Sequence, residues 1–259
     1  MFKKLCFVCF ASALICTTLS GTTSAAGGIE YTFQSPNTQS QKLAYDEIRA
    51  SRVNQLVGKL SNEHFPFSQT LTIHYGGEDG PLYDPDLHTI FIPYAFYTQA
   101  IHYFAQNRYQ KMYGKSAKEA AIDTILHTLL HEVGHAYIDD NGIPILGKEE
   151  DAVDNFAAIV LINYVKNGAD IAISAADMFA FESDDKPDYY DSSEYIDEHS
   201  FDLQRYFSTL CLVYGAEPKQ YPNLLDEINK LDVKDRQTFC IEHYQTMSEN
   251  WQKYFKTVK

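Results

Sequence analysis

The segment His131-Glu132-Val133-Gly134-His135 lies inside the most clearly marked element of the sequence, a predicted helix over about 117–138. Two histidines four residues apart share one face of a helix, so both imidazoles can reach one zinc ion at about 2.0–2.1 Å. Glu132 is rotated from them by roughly 100° around the helix axis. It is poorly placed as a ligand, but it can reach a water at the metal and act as a general base. We therefore predict His131 and His135 as metal ligands and Glu132 as the catalytic base.

Local signals mark both ends of this helix. Ser116 and Glu119 form a capping box at its start, and Gly142 followed by Pro144 ends it. The helix has an apolar stripe made of Ile122, Ile125, Leu126, Leu129 and Val133. A polar motif on such a helix is costly unless it is partnered, which favours a metal site over two solvated histidines.

A catalytic zinc site needs a third protein ligand and an open position. Glu150 and Asp154 lie one turn apart on the next predicted helix, over about 148–166, on a stripe that should face the core. Buried carboxylates need a partner, and a dication with its histidines is a good one. We expect Glu150 to be the third ligand and Asp154 to orient a ligand histidine. Glu149 is the rival ligand and Asp151 a weaker one, and acids at this position can also simply stabilise the helix N-terminus.

A third histidine is not expected among the ligands. The metzincin class of zinc enzymes would require Gly at position 138 and His at position 141, where this sequence has Ile138 and Asn141. His127 lies one turn before His131, too far along the helix to reach the same metal. We expect His127 to be structural or to support the ligands.

Metal-assisted hydrolysis usually needs a hydrogen-bond donor that stabilises the developing oxyanion. If the chain is helical around His199, this side chain points inward with the apolar stripe of the helix that follows, and we predict it as this donor. Arg205, held by Asp202 at i, i+3, is a second candidate. The alternative is that His199 only flanks the start of a helix at Ser200.

The segment from His131 to Asp154 resembles gluzincin-type zinc metallopeptidases. It is more closely similar to a family of exported bacterial proteins described as metallopeptidases of unknown function. The similarity continues over most of the chain, through Tyr83-Asp84-Pro85, His199, Gln204-Arg205, Cys211 and Cys240. The resemblance implies a zincin-like fold, a Zn²⁺ cofactor and a peptidase activity, without indicating a substrate.

Residues 1–26 have the order of a secretory signal peptide. Lys3 and Lys4 precede an apolar stretch from residue 5 to residue 16, and small residues at 23–26 suit cleavage. The apolar stretch is short for a membrane span. We expect an exported protein, periplasmic or secreted.

Cleavage at this point would leave two cysteines, Cys211 and Cys240. Two cysteines in an exported chain indicate one disulfide. Closing a loop of this length should stabilise the fold by roughly 3.5 kcal/mol on the chain-entropy estimate.

The composition is globular, with 45% hydrophobic and 22% charged residues. The formal net charge is −14, so the chain lacks the clustered Lys and Arg that phosphate contacts need, and we expect no nucleic-acid partner. No apolar run of about 18 residues follows the N-terminus, and an acidic chain binds anionic membranes poorly. We expect no stable membrane association after signal cleavage, and the sequence indicates no oligomeric state.

The element pattern predicts an α+β fold of the zincin-like kind, mostly helical with a small N-terminal sheet. We expect one domain over 27–259, with an N-lobe over about 27–139, a C-lobe over about 140–259 and the active-site helix between them. Helices are expected over about 41–60, 94–113, 117–138, 148–166 and 171–181, then a long helix to Gly215 and two more, with strands at 71–75 and 88–92. Residues 27–40 are expected to be a mobile lead-in.

The function that these observations favour is zinc-dependent hydrolysis of peptide bonds in a peptide or protein substrate. One alternative is a zinc amidase that acts on cell-wall peptides. The other is a non-catalytic binding protein that keeps zinc for stability.

Overall fold

The computed structural model describes residues 27–185, 190–227 and 232–255. The predicted signal peptide, residues 1–26, lies outside the described residues. None of the described helices combines the length and the apolar character that a membrane span requires.

The chain forms a small sheet and a larger set of helices. The strands are β1 (Ile29–Phe33), β2 (Leu71–Tyr75), β3 (Leu82–Asp84) and β4 (Thr89–Ile92). The helices are α1 (Gln39–Ala50), α2 (Val53–His64), α3 (Tyr94–Gln106), α4 (Tyr109–Tyr113), α5 (Ala117–Asn141), α6 (Glu149–Tyr164), α7 (Gly168–Asp184), α8 (Asp202–Ala216) and α9 (Val233–Gln252). The predicted α+β class is confirmed: the structure is mostly helical with one N-terminal sheet.

The sheet has the strand order β1-β2-β4-β3. β1 and β4 both run parallel to β2, whereas β3 runs antiparallel to β4 and lies at the edge. Alternate residues of β2 and β4 are buried, among them Ile73 and Ile90. The sheet therefore buries one face against the helices, as period-two alternation dictates.

Two strands were not predicted. Residues 29–33 were expected to belong to a mobile lead-in, but they pair with β2 over five residues, from Ile29 opposite Leu71 onward. The segment Ile-Glu-Tyr-Thr-Phe does alternate apolar and polar residues, a signal that the Gly- and Ser-containing flanks obscured. β3 has three residues, too few for a periodic pattern.

Two of the predicted helices are each divided in the structure. The helix expected over 41–60 breaks at Ser51, whose backbone is extended. The helix expected over 94–113 breaks at Arg108, which has a left-handed backbone with φ of 54°. Apolar spacing continues across both breaks, so periodicity alone does not reveal them. Of the two helices expected after Gly215, the described residues contain one, α9.

Helix α5 is the central element. It contacts α2, α3 and β3 on the N-terminal side of the chain and α6 and α7 on the C-terminal side. The predicted capping box is present, with Ser116 and Glu119 bonded to each other's backbone amides. Gly142 ends the helix in a left-handed conformation, φ of 56°, which glycine adopts without a Cβ penalty.

The C-terminal helices pack as a layer of α7, α8 and α9, and α8 also contacts α6. The predicted disulfide between Cys211 and Cys240 is confirmed and joins α8 to α9, with Cα atoms 5.0 Å apart. A Cβ on Gly215 would lie 2.1 Å from the carbonyl oxygen of Cys240. Only glycine therefore allows the two helices to approach this closely.

Candidate metal centre

His131, His135 and Glu150 converge where α5 meets α6. One ligand atom from each lies within 4.8 Å of the other two. The Nε2 atom of His131 is 3.1 Å from Glu150 Oε2, and the Nε2 atom of His135 is 3.3 Å from Glu150 Oε1. The three side chains thus present two nitrogens and a carboxylate to a common point.

Close packing of the two helices positions this carboxylate. A Cβ added at Gly134 would lie 3.0 Å from Val153 and 3.1 Å from Phe156, both buried on α6. The glycine of the motif therefore provides the room that lets α6 lie against α5. Glu150 stands one turn before these contacts and is carried toward the histidines.

Each candidate histidine ligand is held by a carboxylate on its other ring nitrogen. His131 Nδ1 is 2.7 Å from Asp154 Oδ1, and His135 Nδ1 is 2.8 Å from Glu149 Oε1. A carboxylate bonded to Nδ1 fixes the ring and leaves Nε2 as the metal-binding atom. The structure thus places Asp154 against a histidine, as the sequence suggested, and gives Glu149 the equivalent position at His135. Asp151 is exposed.

Arg205 anchors one of these carboxylates. Its Nε and a terminal nitrogen donate to Asp154 at 2.7 and 2.9 Å, and its guanidinium lies 4.0 Å from the ring centroid of Phe179. The prediction that Asp202 holds Arg205 is wrong, because the guanidinium turns inward to a carboxylate 51 residues away in the chain. Despite burial, the arginine and His131 hold the pKa of Asp154 far below its usual range.

One carboxylate oxygen of Glu150 is not satisfied by a hydrogen bond from the described residues. This atom, Oε2, is buried. The Nε2 atoms of His131 and His199 lie 3.1 and 2.9 Å away, at ion-pair distance. A cation would satisfy this oxygen, and an imidazole and carboxylate set suits a divalent transition metal such as zinc. The residues present therefore fit a metal ion.

Glu132 lies beside these groups, 6% exposed. Burial raises the pKa of its carboxyl group, and the neighbouring His131 and His135 partly oppose this shift. Together with both histidines and Glu150, it lines a cleft of about 870 Å³. The edge strand β3 and its flanks also line this cleft, at Pro81, Leu82, Tyr83 and Pro85.

The backbone conformation at His199 differs from the predicted one. The chain at this residue is not helical, since α8 begins only at Asp202, and the predicted inward stripe is wrong. The side chain of His199 is 51% exposed, with Nε2 2.9 Å from Glu150 Oε2. Asp197 accepts from its backbone amide at 2.9 Å, and Lys148 donates to its carbonyl oxygen at 3.1 Å.

Three residues at the site were not assigned their roles from the sequence. Glu149 was considered only as a ligand or a helix-end charge, and Lys148 was not singled out. Tyr83 donates to Asp139 at 2.9 Å, which fixes β3 against the end of α5. Their partners lie on other elements, so spacing along one helix does not reveal them.

A helix with paired histidines, an intervening glutamate and a carboxylate from the next helix defines a candidate centre for a divalent metal. In a comparison with protein families, residues 33–255 match the family described as "Putative metallopeptidase". The match spans most of the chain, so this protein belongs to that family, whose description implies a metal ion and peptide hydrolysis. Searches of curated proteins and of solved structures found no match.

Proposed function

We propose that this protein is a zinc-dependent peptidase that hydrolyses peptide bonds in a peptide or protein substrate. The observation that carries this proposal is the convergence of His131, His135 and Glu150 within 4.8 Å, with each histidine held through Nδ1 by a carboxylate. Such support is typical of histidines that bind a metal. Membership of the metallopeptidase family agrees with it.

A zinc ion held there would polarise the scissile carbonyl and lower the pKa of a water ligand toward 7. Glu132 would take the proton of the attacking water and deliver it to the leaving amine. Burial raises the pKa of Glu132, which makes its carboxylate a stronger base than that of an exposed glutamate. The water oxygen would add to the carbonyl carbon first, and the C–N bond would then break as the amine leaves with the proton that Glu132 took up.

We propose that His199 stabilises the oxygen of the carbonyl as it becomes negative. Its imidazole is half exposed and lines the same cleft as Glu132. A donor positioned for this oxygen contributes about 10²–10³ in turnover. The extended chain before α8, tethered by Lys148 and Asp197, would present this donor.

We also propose that the chain is exported and acts in the periplasm or outside the cell. The disulfide between Cys211 and Cys240 supports this proposal, because such bonds persist in oxidising compartments.

The test is digestion of a peptide library by the zinc-loaded protein, by its chelated form and by Glu132→Gln. We expect cleavage that the chelator abolishes, and loss of several orders of magnitude in the variant with zinc retained, because an amide cannot accept the proton. The control is Glu242→Gln, an exposed glutamate on α9, which should cleave like the wild type. Zinc binding without cleavage would indicate the non-catalytic protein, and cleavage of cell-wall peptides alone would indicate the amidase.

A further inference from the structure

A second cavity, the side cavity, adjoins the cleft of the candidate metal centre. Its volume is about 210 Å³, and it shares Pro81, His131, Glu132 and His199 with the cleft. His135 and Glu150 line the cleft but not the side cavity. The side cavity therefore opens beside the proposed base, where a substrate residue next to the scissile bond would lie.

The side cavity has mixed walls, with one apolar side beside polar residues that include Thr124 and Thr128. Phe96 of α3 and Ala175, Met178 and Phe179 of α7 contribute to the apolar side. An apolar cavity of about 150 Å³ is known to bind benzene. The side cavity thus has room for a six-membered aromatic ring with one further group attached.

Within the described part of the chain, one buried polar atom of the wall has no hydrogen-bond partner. His127 of α5 lines the side cavity and is 1% exposed, and its Nε2 atom makes no hydrogen bond to any described residue. Burial lowers the pKa of His127 to about 4, so its imidazole is neutral near pH 7 and can either donate or accept a hydrogen bond. A buried group of this kind is costly until a ligand satisfies it.

The charged groups of the wall do not favour an anionic ligand, since the carboxylates of Glu132 and Glu182 line it together with Arg205. Arg205 lines the side cavity but donates to Asp154 and stacks on Phe179. It is therefore less available to a ligand than His127. This favours a neutral hydroxyl over a carboxylate as the group that the cavity receives.

We propose that the side cavity binds the side chain of the substrate residue next to the scissile bond and selects tyrosine, with His127 as hydrogen-bond partner of the phenol hydroxyl. This inference rests on the proposed peptidase function, because it concerns a substrate residue. Ligand binding in the side cavity can nevertheless be tested without turnover. Phenylalanine would contact the same apolar side of the cavity and leave His127 unpaired.

The first test uses the small molecules p-cresol and toluene, which carry the rings of tyrosine and phenylalanine. The chain has four methionines, and Met178 lines the side cavity while Met112 is exposed and Met247 contacts Asn155. In zinc-loaded protein with ¹³C-labelled methionine methyl groups, we expect p-cresol to shift the Met178 signal, assigned through Met178→Leu, and to leave Met112 and Met247 unshifted. Toluene should need about tenfold higher concentration, the value of one hydrogen bond.

Variants of His127 connect the preference to this residue. In His127→Leu, p-cresol and toluene should bind with equal affinity, whereas His127→Gln, which keeps a hydrogen-bonding group, should retain part of the preference. His102→Leu, the same change at an exposed histidine of α3, should behave like the wild type. An unshifted Met178 signal, or an unchanged preference in both variants of His127, would overturn the proposal.

A second measurement separates this proposal from the peptidase proposal. Peptides that differ only in Tyr, Phe or Ala beside the scissile bond should be cleaved with kcat/KM in that order, and His127→Leu should remove the difference between Tyr and Phe. A shifted Met178 signal without hydrolysis of any peptide would refute the peptidase and keep the cavity. Hydrolysis that ignores this residue would refute the selectivity and keep the peptidase.

Discussion

The guanidinium of Arg205 donates two hydrogen bonds to the carboxylate of Asp154, which in turn accepts from Nδ1 of His131 at 2.7 Å. The chain of contacts thus runs from α8 through α6 to the motif on α5. A residue outside the candidate ligand set is therefore linked through Asp154 to a candidate ligand. Supporting contacts of this kind typically change metal affinity by 10- to 100-fold.

We predict that Arg205→Ala and Arg205→Lys both weaken zinc binding, by about 10- to 100-fold for the alanine variant. Lysine keeps the charge but cannot form the two-pronged contact, so it should restore affinity only in part. Competition with a fluorescent chelator measures the affinity, and circular dichroism shows whether each variant is folded. Arg236→Ala, an exposed arginine on α9, is the control; unchanged zinc affinity in folded Arg205→Lys and Arg205→Ala would contradict the prediction.

The three acids at the start of α6 should differ in their effects on zinc. Glu150→Gln should lose zinc most strongly, because among the described residues Glu150 alone places a carboxylate near both Nε2 atoms. Glu149→Gln should lower affinity by about 10- to 100-fold, since it releases His135, and exposed Asp151→Asn should change nothing. Metal analysis after dialysis against graded chelator gives the ranking, and a larger loss from Glu149→Gln than from Glu150→Gln would move the ligand by one residue.

His199→Ala should reduce turnover by about 10²–10³ while zinc content stays at the wild-type level. The reason is that its half-exposed imidazole faces the cleft and is proposed to donate to the oxyanion. Parallel measurements of kcat and of bound zinc test this. Loss of zinc would instead identify His199 as a ligand, and wild-type turnover would leave it a structural residue.

Asp177 of α7, away from the metal centre, should give the fold a pH-dependent stability. Burial raises its pKa from 3.8 to about 6, with the hydrogen bond from Tyr109 and the charge of Lys115 opposing and that of Glu227 adding to the shift. Since the pKa is higher in the folded state, this contribution is fully present below about pH 4 and is lost as the pH rises through 6.

The amide in Asp177→Asn cannot ionise, so the stability of this variant should not fall through this group as the pH rises. The free energy of unfolding of the wild type relative to the variant should fall by about 2–3 kcal/mol between pH 4 and pH 7.5. Urea unfolding at both pH values measures it. Asp170→Asn is the control, because Asp170 is an exposed acid on the same helix that also accepts from a tyrosine, Tyr221. Parallel pH profiles for wild type and Asp177→Asn would disprove the shift.

What could be predicted from the sequence depends on how local each feature is. The motif on α5 needs only helix geometry to bring His131 and His135 together, and the stripe on α6 needs only its own period to turn Glu150 and Asp154 inward. The partner of Arg205 lies 51 residues away on another helix, and sequence spacing offered only the near neighbour Asp202. Contacts between elements depend on how those elements pack. The hydrophobic periodicity of one helix or strand does not contain that information.

The same reasoning applies to the sheet. β2 and β4 were found because each alternates within itself, but β1 owes its structure to parallel pairing with β2. His199 was expected on a helix, which is wrong, because α8 begins only at Asp202. An isolated residue before a helix has no periodicity of its own.

The disulfide has a consequence that reaches beyond the helices it joins. Helix α8 follows His199, carries Arg205 and also carries Cys211, which is tied to Cys240 of α9. The disulfide thus holds α8 against α9. It thereby stabilises the side of the cleft that contains His199, the proposed donor, and Arg205, which binds Asp154. Reduction of this bond would remove the covalent link between α8 and α9, and with it part of the support for Arg205 at a distance from the metal centre.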